Sequence, residues 1–342
     1  MTGTSRTIGI VGLGLIGGSL ARDLVARGVD VVATTRSEAT RADAADAGIT
    51  VVGDVRAVVG EAELVVLAVP LPALSEHLAG VAAALPAGAR SPTVTDVGSV
   101  KGPVTAAAAS ALADPSVFVP GHPMAGTEHQ GWAAADPHLF EERRWALALD
   151  PPVALGRWAE AAALATAVGS EVVPVDVAGH DEAVALVSHL PYALAAAAAS
   201  LLRSDEGTGL ARALAAGSFA DLTRVAGGHP TLGADMAVTN RRALGSQMEA
   251  LSGTLQDLAQ ALGSGDAGAD EEAVAAWFSA GREGREALEA ARASPGVRHR
   301  ATLDREGLLA LGRRGGRVVG VAPAPPAAEE LDVTTIDPGR PT

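Results

Sequence analysis

Two short stretches of this chain carry residues able to do redox chemistry together. The first is Gly12-Leu13-Gly14-Leu15-Ile16-Gly17-Gly18-Ser19, and the second is Gly121-His122-Pro123-Met124-Ala125-Gly126-Thr127-Glu128. In the first, the Gly-x-Gly-x-x-Gly spacing follows an apolar strand and opens a helix, the context that makes it a dinucleotide cradle. Gly12 permits the tight turn, Gly14 lets backbone approach a pyrophosphate, and Gly17 lets helix and strand pack. The free N–H groups of Leu15 and Ile16 then face the phosphates at the helix start. The second stretch places an imidazole after a strand end, on a loop that Pro123 keeps from being helical. An α/β sheet presents its ligands at such ends. Imidazole, with an ordinary pKa of about 6.5, suits a general base near neutral pH. Asp96-Val97-Gly98-Ser99-Val100-Lys101 lies between them and adds a hydroxyl and a lone lysine.

The end of the second predicted strand reports on the nucleotide, because an acid there would accept from the ribose 2′-OH. Here the run is Ala33-Thr34-Thr35-Arg36-Ser37, with no carboxylate before Glu38. A hydroxyl at Thr35 followed by the guanidinium of Arg36 suits a 2′-phosphate, which favours NADP. In the alternative, Arg36 faces solvent and NAD is used. Val69 and Pro70, closing the buried strand Leu64–Val69, complete the expected cofactor wall. No metal is implied.

Strand–helix alternation at short spacing positions these residues. Strands are predicted at 7–11, 29–33, 51–52, 64–69, 93–96 and 117–120, with helices at 18–27, 38–47 and 72–85 between them. That is the pattern of a Rossmann-type doubly wound parallel sheet. Segments 145–149 and 171–175 read as later strands of the same domain, flanking a helix at 154–168. After Asp176 the period becomes helical, over 181–203, 209–214, 235–262 and 271–293. The expected organisation is a dinucleotide-binding domain over 1–176, an all-helical substrate and dimerisation domain over 177–295, and a basic, then Pro/Ala-rich tail over 296–342. The tail reads as solvated, with at most one edge strand at 317–321.

The chain has 342 residues, a formal charge of −14, 3% aromatic residues and no cysteine. The charge argues against nucleic acid or an anionic membrane as partner, and the lack of cysteine rules out disulfides and thiolate chemistry. Residues 1–6 are polar and no later stretch reads as a membrane span, the apolar run 193–199 being short. A cytoplasmic protein is expected. Apolar, alanine-rich helices after Asp176 would not leave a face in water, so a homodimer is expected.

Beyond these readings, the chain resembles the prephenate and arogenate dehydrogenases of tyrosine biosynthesis. The glycine run ending at Ser19, the Asp96–Lys101 segment and the Gly121–Glu128 loop carry the likeness, with Val187-Ser188-His189-Leu190-Pro191, Gly217-Ser218-Phe219 and Asp221-Leu222-Thr223-Arg224. The resemblance implies NAD(P)-dependent oxidative decarboxylation of a cyclohexadienol in a cleft between the two domains. It implies His122 as the base that takes the ring-hydroxyl proton, and Ser99 as the hydroxyl holding that oxygen in register. It further implies Arg224 as carboxylate anchor, His189 as pocket lining, and Thr127 and Glu128 on the substrate side, Glu128 at the mouth.

Two departures stand out. Ala220 replaces a frequent Lys or Arg, and Gly233-Ala234-Asp235 stands where many members have Trp-Arg-Asp. Unless Arg241 or Arg242 compensates, arogenate gains ground over prephenate as substrate. The tail also lacks the length and β-α-β pattern of the regulatory domain that some members append. A 3-hydroxyacid-type dehydrogenase would need a lysine on a helix entering the second domain, whereas Lys101 lies in the first. A non-catalytic nucleotide sensor would not need Ser99, His122 and Arg224 together.

Overall fold

The computed structural model describes residues 6–86, 91–127, 129–204, 207–228, 230–263 and 267–338. The first half is built from β1 (Ile8–Val11), α1 (Leu15–Ala26), β2 (Val31–Thr34), α2 (Glu38–Asp46), β3 (Thr50–Val51), α3 (Val55–Glu61), β4 (Leu64–Leu67), α4 (Leu74–Ala84), β5 (Thr93–Asp96), α5 (Gly102–Ala111) and β6 (Phe118–Val119). The strands pair in parallel in the order β3-β2-β1-β4-β5-β6. β1, β2, β4 and β5 are buried at every position. This explains their unbroken Val/Ile/Leu/Thr runs, because helices cover both faces of such a sheet. The order reverses between β1 and β4, and the strand ends there open the crevice where α/β sheets bind ligands.

At Pro120 the chain leaves this sheet. β7 (Gly121–Pro123) pairs antiparallel with β8 (Arg144–Ala148). β8 in turn pairs in parallel with β9 (Glu171–Val175) across α6 (Leu155–Ala167). The strands expected at 145–149 and 171–175 are present, and they belong to a second sheet. The loop after β7 folds back onto α1. Asp136 N donates to Ser19 Oγ at 2.9 Å, Arg22 donates to Ala135 O at 2.7 Å, and the Arg22 guanidinium sits 4.1 Å from the Trp132 ring centre. The loop that follows the second stretch is thus packed on the helix that the first stretch opens.

The described residues from 177 to 293 hold helices only: α7 (Val177–Val184), a π-helical turn (Ala185–His189), α8 (Leu190–Ser200), α9 (Gly209–Leu214), α10 (Gly217–Thr223), a 3-10 turn (Arg224–Gly227), α11 (Pro230–Thr239), α12 (Arg241–Gly263) and α13 (Ala267–Ala293). α7, the π turn and α8 run on as one helix, Val177–Ser200, which by length and composition alone could cross a membrane. It is longer than the apolar run 193–199 singled out in the sequence. Its polar face is tied to the first domain through Asp181, whose carboxylate accepts from Lys101 N and Gly102 N at 2.8 Å each. Its outer face leaves Leu186 and Val187 exposed, and Leu201, Leu210, Leu214 and Phe278 are exposed further along the chain.

The largest correction concerns the C-terminus. β10 (Val297–Asp304), α14 (Arg305–Arg313), β11 (Arg317–Val321) and β12 (Glu330–Asp337) fold into a β-α-β-β unit instead of a solvated tail. It completes the second sheet in the order β10-β12-β11-β9-β8-β7. Glu171 on β9 ion-pairs with both Arg144 on β8 and Arg317 on β11, and Arg305 donates to Leu149 O and Val153 O. The strands were hard to read because β10 is an edge strand, mostly exposed and rich in Arg, His and Asp. Only Leu308 and Leu311 of α14 are fully buried.

Gly312 tests that docking. A Cβ there would collide with Pro174 O, which costs about 1–3 kcal/mol for overpacking. Helix propensity returns at most about 1 kcal/mol for Gly→Ala, so the clash decides the sign. Gly312→Ala is expected to lower the melting temperature in thermal denaturation. An unchanged or raised value would mean that α14 does not pack on β9 in this way.

Candidate active site

The glycine turn is shaped from inside at two of its three positions. Gly12 has φ +99°, and a Cβ on it would lie 2.5 Å from Ala68 O. A Cβ on Gly17 would strike Gly12 O. Gly14 differs, because nothing lies within 4 Å of where its Cβ would be. It caps α1 without a side-chain hydrogen bond, and the first turn holds no acid. The free N–H groups of Leu15, Ile16 and Gly17 therefore face open space with the positive end of the helix dipole, as an anion requires. The residues present fit a dinucleotide pyrophosphate. Val69 and Pro70 follow β4 beside this turn. Thr35 accepts from Ser37 N at 3.3 Å, while Arg36 is exposed and forms no hydrogen bond or ion pair with the described residues. Arg41 donates to Val52 O and Thr35 O at 3.2 and 3.1 Å, fixing a second cation under the same loop.

Beyond β5, a buried ion pair organises the second half of the site. Lys101 is 0% exposed and its Nζ donates to Asp96 Oδ2 at 2.5 Å and to Gly121 O at 2.7 Å. Asp96 in turn accepts from Gly98 N at 2.8 Å and Gly121 N at 3.1 Å. One pair thereby locks the turn carrying Ser99 and the strand carrying His122. Burial lowers the Lys101 pKa, against the opposing pull of Asp96.

His122 sits half-buried at the centre of β7. Its Nδ1 lies 2.9 Å from Nε2 of His180 on α7, with the rings edge to face at 5.2 Å. His180 Nδ1 contacts Asp181 Oδ1 at 2.8 Å. Burial would raise the Asp181 pKa, but hydrogen bonds from His180 and from the N–H groups of Lys101 and Gly102 outweigh it, and the net shift is downward. His189 is buried on the π turn. Asn240 Nδ2 donates to Asp181 O at 2.8 Å and lies 3.2 Å from His189 Nδ1. Since a backbone carbonyl can only accept, that amide nitrogen is the donor, so His189 accepts at Nδ1 and carries its proton on Nε2. The Nε2 position is buried with no partner among the described residues, a donor left for a ligand.

The structure gathers His122 and His189 but not every expected residue. Ser99 is half-buried in the turn after β5 and makes no hydrogen bond to His122. Arg224 is exposed on the turn that packs against α8, without a hydrogen bond or ion pair to the histidine cluster. Thr127 is exposed and accepts from His129 N at 3.2 Å, a local turn. Glu128 lies outside the described residues. His180, Asp181 and Asn240 were missed by sequence reasoning as site residues. The dipeptide His180-Asp181 at the start of the helical region was the available signal.

An anion-ready glycine turn at the switch point of a 3-2-1-4-5-6 sheet, with an imidazole cluster at the seam to a helical domain, defines a two-domain dehydrogenase of the nicotinamide type. The chain matches the nucleotide-binding domain of prephenate dehydrogenase over residues 20–155 and the prephenate dehydrogenase dimerization domain over residues 176–278. It is 33% identical to a cyclohexadienyl dehydrogenase of Zymomonas mobilis, over 76% of this chain and 90% of that protein. A putative prephenate dehydrogenase from Corynebacterium glutamicum superposes with a TM-score of 0.77 at 34% identity, covering 86% of this chain and 92% of that one. Prephenate dehydrogenase from Aquifex aeolicus, solved with hydroxyphenyl propionate and NAD+, gives a TM-score of 0.75 at 25% identity, over 84% and 100% of the two chains. This chain belongs to the prephenate dehydrogenase family.

Two measurements probe this site. Lys101→Met strands the buried Asp96 carboxylate, and breaking such a pair typically costs about 3–5 kcal/mol. Urea unfolding should show a loss of that order, and a loss below about 1 kcal/mol would mean that Asp96 finds another partner. The second is acid sensitivity. Burial, then the charges of His180, Lys101 and His189, push the His122 pKa well below its ordinary value. Between that depressed value and about pH 6.5 the unfolded chain binds more protons, so stability rises with pH in this window. The contribution is complete above about pH 6.5 and is lost progressively below it. His189 is shifted the same way. His122→Asn should flatten, without abolishing, the acid limb of a melting-temperature profile.

Proposed function

We propose that this chain catalyses the NAD(P)-dependent oxidative decarboxylation of prephenate to 4-hydroxyphenylpyruvate, as a cytoplasmic homodimer. The observation that carries the reading is His122, whose Nδ1 is occupied by His180, leaving Nε2 to meet a substrate hydroxyl. The nicotinamide, when bound, supplies the acceptor for the hydride from ring C4. His122 Nε2 takes the hydroxyl proton as that C–O bond becomes a carbonyl. The ring carboxylate then leaves as CO2, its bonding pair aromatises the ring, and His122 returns the proton to the resulting phenolate oxygen. Ser99 is proposed to hold the same oxygen, and the His189 Nε2–H to donate to a substrate acceptor. Arg224, Thr127 and Glu128 are assigned to the substrate side by resemblance. The exposed apolar residues of the helices after Asp176 are proposed as the dimer face. His122→Asn should lower turnover by about 10²–10⁴-fold, the usual share of a positioned base, with KM little changed. Near-wild-type turnover would remove His122 from the role.

A second substrate, arogenate, is favoured by Ala220 and Gly233-Ala234, which withdraw positive charge expected near the side-chain end. Initial rates with each acid decide between them.

Arg36, with Arg41 fixed beneath the same loop and no carboxylate at the strand end, supports NADP over NAD. Charge-assisted hydrogen bonds contribute about 1.5–3 kcal/mol, so kcat/KM should favour NADP by roughly ten- to a hundredfold, and Arg36→Ala should erase most of the gap. A wild-type preference for NAD would reverse the assignment.

A further inference from the structure

The hydrogen bonds behind His122 form a directed chain that ends on backbone. Asp181 Oδ1 accepts from Lys101 N and Oδ2 from Gly102 N, so the carboxylate is fixed where α5 begins. A carboxylate can only accept, so His180, 2.8 Å away at Nδ1, must carry a proton on that nitrogen. With one proton on each ring, His180 Nε2 is then a bare lone pair. It stands 2.9 Å from His122 Nδ1, which must therefore be the protonated nitrogen. The His122 lone pair is left on Nε2, the only ring position that a substrate hydroxyl could use.

From this geometry we infer that His180 and Asp181 are positioning residues, which set the tautomer of His122 and keep its Nε2 free to act as the base. The inference rests on the proposed role of His122. The relay crosses the domain seam: the base lies on β7 of the first domain, and the residues that orient it lie on α7 at the start of the helical domain. A second proton on His180 would reverse the chain by presenting Nε2–H to His122 and moving the His122 proton onto its own Nε2. The charged and titratable groups facing His122 are His180 from α7, Lys101 from the turn before α5 and His189 from the π turn. A nearby carboxylate anchor therefore matters for keeping the proton on Nδ1 of His180.

Four variants separate this role from simple packing. His180→Phe keeps a ring but removes the acceptor, and kcat should fall on the order of 10²-fold or more, as when a base loses the partner fixing its tautomer, with KM within about threefold. His180→Gln, whose Oε1 can accept from His122 Nδ1, should recover a substantial part of that loss. In a His122→Asn background, adding His180→Phe should cost less than about twofold, since residues that act as a unit are non-additive. Nitrogen-15 NMR of the histidine rings, with His122 assigned by His122→Asn, should show Nδ1–H in the wild type. Nε2–H should gain population in His180→Phe and in Asp181→Ala, which removes the acceptor that holds the proton on Nδ1 of His180. Near-wild-type kcat in His180→Phe, an equal loss in both backgrounds, or an unchanged His122 tautomer would each overturn the relay. A fully active His122→Asn would instead overturn the base assignment on which it rests.

Discussion

The buried contact between Lys101 and Asp96 is the constraint on which the site depends. Two charges removed from water cost several kcal/mol each unless their remaining hydrogen-bonding positions are filled. Here they are filled by backbone: Gly98 N and Gly121 N on the acid, Gly121 O on the amine. The price of burying the pair is therefore met by fastening two loops, one from each side of the sheet's end. Because the next N–H groups, of Lys101 and Gly102, go to Asp181, the same short segment also fixes the helical domain against the first. Charge burial, loop position and domain seam form one connected network.

Much of the first domain was legible because its signals are local. β1, β4 and β5 are short runs buried on both faces, and the glycine turn is specified within six residues. The boundaries moved by only a few positions, and α3 and α5 went unpredicted because their sequences are short and alanine- or valine-rich without a clear period. The second sheet was harder. Its strands are distinguished from continuations of the first sheet only by where Pro120 turns the chain. The C-terminal unit was misread for a similar reason, because β10 shows its neighbours a polar edge and gains its strand character from pairing with β12 over eight residues.

The candidate site divides along the same line. His122 announces itself by its Gly and Pro flanks just past a strand end, although the structure makes those three residues a short strand of their own. His180 does not, because its meaning comes from a ring 58 residues away in sequence, and a histidine in a helical stretch is unremarkable by itself. His189 is legible only through the Ser-His-Leu-Pro stretch that carries the family likeness. The structure adds that the helix widens to a π turn there, bringing His189 over Asn240, a relationship that periodicity cannot encode. Arg36 was equally visible in sequence and structure, since an exposed side chain at a strand end has few neighbours to alter its meaning.

Lys101 is the only lysine in the chain, every other side-chain cation being arginine or histidine, and it is completely enclosed. The folded protein therefore offers acylating and cross-linking reagents no ε-amine at all. Such chemistry is confined to the α-amine until the nucleotide domain opens. Covalent capture at Lys101 would then count the molecules whose core has come apart, a label written into the sequence by the same residue that holds the catalytic loops together.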